Sequence, residues 1–160
     1  MFAKYFDWYY YKNELDSADI SETRDVFQAR LDALLRNLLR NKIPEEDAYL
    51  ITAVIGEMGN NCFDHKQGIF KTLSHVRPDL KNHQEALQLA FEKKISGRFP
   101  EKRGNGLKFV RQVLNGNPSR GLFVSSGDAT SNFGGDHFNP LESMSNTSNG
   151  VLAFLRWRIS

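Results

Sequence analysis

Glu57 and Asn61 stand four residues apart in a segment, Leu50 to Phe63, whose apolar residues recur at helical spacing. Their side chains therefore leave one face of one helix. Leu50 and Val54 lie on the same stripe in the preceding turns. A carboxylate and a carboxamide that end an apolar stripe need polar partners, because burying them unpaired is costly. A divalent cation with a phosphate would supply them. The amide oxygen is a hard ligand suited to Mg²⁺, and the carboxylate can orient a water or hydroxyl for attack. Hydrogen bonds to a neighbouring strand, or to the end of the helix itself, would satisfy the same groups without any chemistry. Spacing alone leaves both readings open.

A second segment, Lys102-Arg103-Gly104-Asn105-Gly106-Leu107, is basic, contains two glycines and opens a helix. Glycines let backbone N–H groups approach an anion, and a helix N-terminus adds partial positive charge. Lys94, Arg98, Lys102 and Arg103 place further positive charge just upstream. Alone, such a loop is equally well read as a capping turn.

In this order, the two segments resemble the ATPase domain shared by histidine kinases, type II topoisomerases, mismatch-repair ATPases and anti-sigma-factor serine kinases. Glu57-Met58-Gly59-Asn60-Asn61-Cys62-Phe63-Asp64-His65 is similar to that family's E-x-x-x-N-(small)-x-x-H box. Arg103-Gly104-Asn105-Gly106-Leu107-Lys108-Phe109-Val110 is similar to its G-x-G-L-x-x-V box. The helical stretches Arg24–Arg40 and Ala48–His65 look most like the serine kinase branch, and Ser96-Gly97-Arg98 resembles its short lid. The likeness spans residues 20–159. It implies ATP and Mg²⁺ as cofactors, with Asn61 as the metal ligand and Glu57 as the general base. By the same resemblance His65, Gly68, Gly104, Gly106 and Leu107 would line the nucleotide site, with Lys102 and Arg103 in the lid. It further implies an α+β fold, the Bergerat two-layer α/β sandwich, in which three or four helices cover one face of a mixed sheet. A regulatory protein as the partner, and a homodimer, would fit that branch.

Two departures from the pattern are visible. The family has a strand after the first box, ending in a D-x-G-x-G turn whose Asp reads the adenine amino group. Here His65-Lys66-Gln67-Gly68-Ile69 runs from the helix straight to what matches the last glycine of that turn. Either the chain has lost the strand, or the sequence skips a stretch between His65 and Gly68. Removal of a central strand would undo the layer on which the helices pack, so the second is expected. The other departure is Gly150-Val151, where the family often has Gly-Thr entering the last strand.

The elements that must position these residues can be read from periodicity. Residues 2–11 are aromatic-rich and predict an N-terminal strand. Ser21 or Asp19 is expected to cap a helix running to Asn41 through Val26, Phe27, Leu31, Leu34, Leu35, Leu38 and Leu39. Pro44 opens the next helix, with Glu45, Glu46 and Asp47 at its positive end. Asn82 and Glu85 form a capping-box pattern ahead of a helix over residues 82–95. Another helix follows Gly106 and ends at Asn115-Gly116-Asn117-Pro118. Gly121–Ser126 and Val151–Ile159 read as strands, and the polar stretch between them, Gly127–Asn149, as a long loop.

Composition excludes little but bounds the rest. The chain has 160 residues, enough for one domain. Its net charge of +2 does not argue for nucleic acid unless the basic residues cluster. A single cysteine, Cys62, rules out an internal disulfide and fits a reducing, cytoplasmic setting. No secretory leader is read at the N-terminus, and no apolar run is long enough to span a bilayer, so no membrane role is expected. Cys62 and His65 have metal-like spacing, but one Cys and scattered His do not make a zinc site. The aromatic run from Tyr5 to Tyr11 is read as an edge strand or dimer contact ahead of a base-stacking surface. Ser125-Ser126-Gly127-Asp128 is read as a strand end and turn, without a partner His or Asp at a recognisable spacing.

Overall fold

The computed structural model describes residues 4–10, 23–64, 69–92, 105–140 and 148–159. Nine elements follow in chain order: β1 (Lys4–Tyr10), α1 (Arg24–Arg40), α2 (Glu45–Asp64), α3 (Ile69–Ser74), α4 (His83–Glu92), α5 (Gly106–Asn115), β2 (Arg120–Gly127), β3 (Ala129–Gly134) and β4 (Ser148–Ile159). The sequence thus places its helices before the last three strands, and the fold is α+β.

The sheet order is β1-β4-β2-β3. Every described pairing is antiparallel, from Lys4↔Ile159 in the first pair to Gly121↔Gly134 in the last. This corrects the expected mixed sheet. A parallel neighbour needs a crossover connection, whereas β2 and β3 form a hairpin and β4 returns along the other edge of β2. Strands β4 and β2 are each paired on both edges, so the helices have a complete inner sheet to cover.

Alternation decides which face that is. Leu122 and Val124 of β2, with Ala153, Leu155 and Trp157 of β4, join one buried cluster with Phe27 and Leu31 of α1, Ile51, Val54 and Met58 of α2, Phe91 of α4, and Val110 and Leu114 of α5. Phe123 and Leu152 turn to the opposite face, where Phe138 and Phe154 pack on them. Strand β2 is consequently buried on both sides.

Other expectations shift in detail. Thr23, rather than Ser21 or Asp19, caps α1, its Oγ1 accepting from Val26 N at 3.3 Å. One half of the capping box of α4 forms as read, with Glu85 N donating to Asn82 Oδ1 at 2.8 Å, while the Glu85 carboxylate turns one residue further back and its Oε2 accepts from Lys81 N at 2.9 Å. Helix α4 is described to Glu92, so residues 93–95 of the expected helix lie outside the described residues. Helix α3 was not expected. The stretch read as one long loop contains β3, whose polar residues ATSNFG conceal it because it is a half-exposed edge strand. Residues 65–68, where the missing strand would fall, also lie outside the described residues.

Candidate functional site

Helix α2 carries Glu57 and Asn61 in its C-terminal half, both partly buried. Its opposite side holds Gly56 and Gly59, which cost helix propensity and are explained only by packing. A Cβ at Gly59 would collide with the Phe27 ring of α1, approaching Cε1 to 2.5 Å. Phe27 in turn meets Phe63 edge-on, with ring centroids 5.7 Å apart. Arg24 lies over Phe63 at 5.6 Å, and its Nη1 donates to Asn60 Oδ1 at 3.3 Å. The first turn of α1 thus braces the back of the helix that presents the candidate pair.

On the presenting side, Asn61 Nδ2 donates to the backbone oxygen of Glu57 at 2.7 Å. This bond fixes the carboxamide and leaves Oδ1 as the atom that a hard cation could use. The Glu57 carboxylate reaches across to α5. A Cβ built at Gly106 would overlap Glu57 Oε2 and stand 2.9 Å from Glu57 Cδ. Only glycine at this position admits the carboxylate so close to the backbone.

Gly106 is the first residue of α5, a helix whose first-turn N–H groups have no partner within the helix. Asn105 precedes it with φ −101° and ψ −14°, and its side chain makes no capping hydrogen bond. The helix is anchored by Leu107, Val110 and Leu114, all buried. Leu107 therefore faces the core, and what it could offer a ligand is its backbone N–H. The two segments singled out in the sequence are brought together at Glu57 and Gly106. His65, Gly68, Lys102, Arg103 and Gly104 lie outside the described residues, as do Lys94 and Arg98.

Ser125 and Ser126 are buried, and Ser126 Oγ accepts a hydrogen bond from Ile69 N at 3.2 Å. That hydroxyl ties α3 to the sheet. Beside it Gly127, at φ +64°, packs against the ring of His83, which also lies 4.8 Å from Phe70. Sequence reading missed this contact, which needs a residue without a Cβ at position 127 and joins segments distant in the chain. Among the described residues no group of three or more His, Cys, Asp or Glu could hold a metal ion. An Mg²⁺ held by one amide oxygen, phosphates and water needs no such group.

No protein-family model matches the chain, and no curated protein or solved structure matches it either.

Proposed function

We propose that this chain is an ATP·Mg²⁺-binding domain of the histidine kinase and gyrase type, acting as a protein serine kinase or ATPase in regulation. The observation that carries the reading is the meeting of Glu57 with Gly106, two motif residues far apart in sequence and joined only by the packing of α2 on α5. Each part suits the task. The uncapped start of α5 offers N–H groups and partial positive charge to phosphate oxygens. Asn61 Oδ1 would hold Mg²⁺, which when bound would neutralise polyphosphate charge and polarise the reacting phosphoryl group. Glu57, beside that place, would accept the proton of the attacking hydroxyl or water. The motif residues His65, Gly68, Lys102, Arg103 and Gly104 would complete the nucleotide's surroundings.

A second reading has a specific observation in its favour. Glu57 seated on Gly106 also ties α2 to α5, as a nucleotide-sensing or protein-interaction module without turnover would use it. Val151, where the resemblance would have Thr, points the same way. Thermal unfolding with and without ATP plus Mg²⁺ tests both. A saturating ligand should stabilise the protein by RT ln(1 + [L]/Kd), about 2.7 kcal/mol at a hundredfold excess over Kd. No shift at millimolar nucleotide sinks the ATP reading. Glu57→Ala that binds but no longer releases ADP supports catalysis, while a wild type that binds and never turns over supports the sensing module.

A further inference from the structure

We propose that Asn105 is a site of covalent modification, losing its side-chain amide to attack by the backbone nitrogen of Gly106, and that the fold directs the reaction there. Asn-Gly occurs three times in the chain, at Asn105-Gly106, Asn115-Gly116 and Asn149-Gly150. In each, the glycine has no side chain to shield its nitrogen from the neighbouring carboxamide. The folded chain treats the three differently. Asn105 is exposed, and its side chain makes no capping hydrogen bond. Gly106 opens α5, so its N–H has no partner within the helix. Asn115 closes the same helix, and there the Gly116 N–H is held by Gln112 O at 3.1 Å. Asn149-Gly150 lies inside β4, where Ser148 and Val151 on either side pair with Gly127 and Ser126 of β2.

The reaction needs only the chain and water. The Gly106 nitrogen bonds to Asn105 Cγ and gives up its proton, while the Cγ–Nδ2 bond breaks and Nδ2 leaves as ammonia with that proton. Water then opens the cyclic imide at either carbonyl, leaving aspartate or isoaspartate at position 105. To bring Cγ over the nitrogen, Asn105 must turn about its ψ of −14°. That rotation breaks one described hydrogen bond, from Phe109 N to Asn105 O at 2.9 Å. Opening a first turn costs little beside opening packed structure, and buried Leu107 and Val110 hold the rest of α5 in place. The same rotation at Asn115 would pull the attacking nitrogen off Gln112 O, and at Asn149 it would break paired strand. The product puts a negative charge at the helix start, on the residue next to the glycine that Glu57 packs against. In the isoaspartate form the main chain also gains one carbon at that point. No bound nucleotide is required.

Incubation of the intact protein in mildly alkaline buffer, followed by peptide mapping with mass spectrometry, tests the proposal. Loss of the amide raises a peptide's mass by about one dalton, and the Asn105 peptide should gain it several-fold faster than the Asn115 and Asn149 peptides. In urea-unfolded protein the three rates should draw together, since the fold is what separates them. Equal rates in the native protein, or a lead at Asn115 or Asn149, overturn the proposal. So does a lead at Asn105 that persists undiminished in urea, because the fold would then not direct it. The route has its own signature, since imide opening yields aspartate and isoaspartate peptides that chromatography separates. An aspartate product alone would mean direct hydrolysis and would remove the attack by Gly106.

Discussion

Asp47 shows how much one side chain can join. In sequence it is one of three acidic residues at the start of α2, where helix-dipole compensation explains it fully. In the structure its Oδ1 accepts from Trp157 Nε1 at 3.0 Å and from Arg120 Nη2 at 3.3 Å. Arg120 also donates to Val113 O at 3.1 Å and lies over the Trp157 ring at 4.1 Å. The carboxylate of Asp47 therefore joins α2 to β2 and β4 directly, and Arg120 extends the tie to α5. Asp47→Ala should destabilise the protein by about 2–3 kcal/mol in urea titrations, because a buried indole N–H and a guanidinium lose their acceptor. Asp47→Asn keeps an oxygen for Trp157 and should cost less. Equal losses would mean that the charge, and not the acceptor, is what Trp157 and Arg120 require. Glu57 and Gly106 differ from this case, since each was singled out by its motif. Their mutual contact was not legible in the sequence and comes from the packing of α2 on α5.

Among the elements, the helices were the most legible. Helix α5 follows from Leu107, Val110 and Leu114 at helical spacing, and those residues are its buried stripe. The capping box of α4 was also readable, because its partners lie within one turn of each other. Asn82→Ala should remove the acceptor for Glu85 N and lower stability by about 1 kcal/mol, measured by thermal or urea unfolding. A loss within error would mean that Glu85, bonded to Lys81 N, is sufficient alone. The elements that escaped were short or polar. Helix α3 has six residues, too few for periodicity to register, and is held by Ile69 and Leu73 in the core. Strand β3 has one buried residue, Ala129, and its remaining pattern resembles a loop. Its strand character comes from pairing with β2, which is a property of the neighbour.

At the scale of the whole molecule, one buried cluster links all five helices to β2, β3 and β4. No part of that cluster can open without exposing the rest. Unfolding followed by tryptophan fluorescence, which includes buried Trp157, should therefore coincide with unfolding followed by far-ultraviolet circular dichroism. Separated midpoints would show that the helical layer and the sheet are independent units. Among the described residues no helix is long and apolar enough to cross a membrane. The sequence by itself determined four of the five helices, the strands β1, β2 and β4, and the identity of the two motif segments, because each is encoded in residues within a few turns of one another. The tertiary structure alone decided the antiparallel sense of the sheet, strand β3, the tie at Asp47 and the seating of Glu57 on Gly106. Those depend on which surfaces meet, and a meeting between distant segments leaves no period in the chain. Glu57 and Asn61 could be picked out from their spacing, but only the packing of α2 against α5 brings the carboxylate against Gly106.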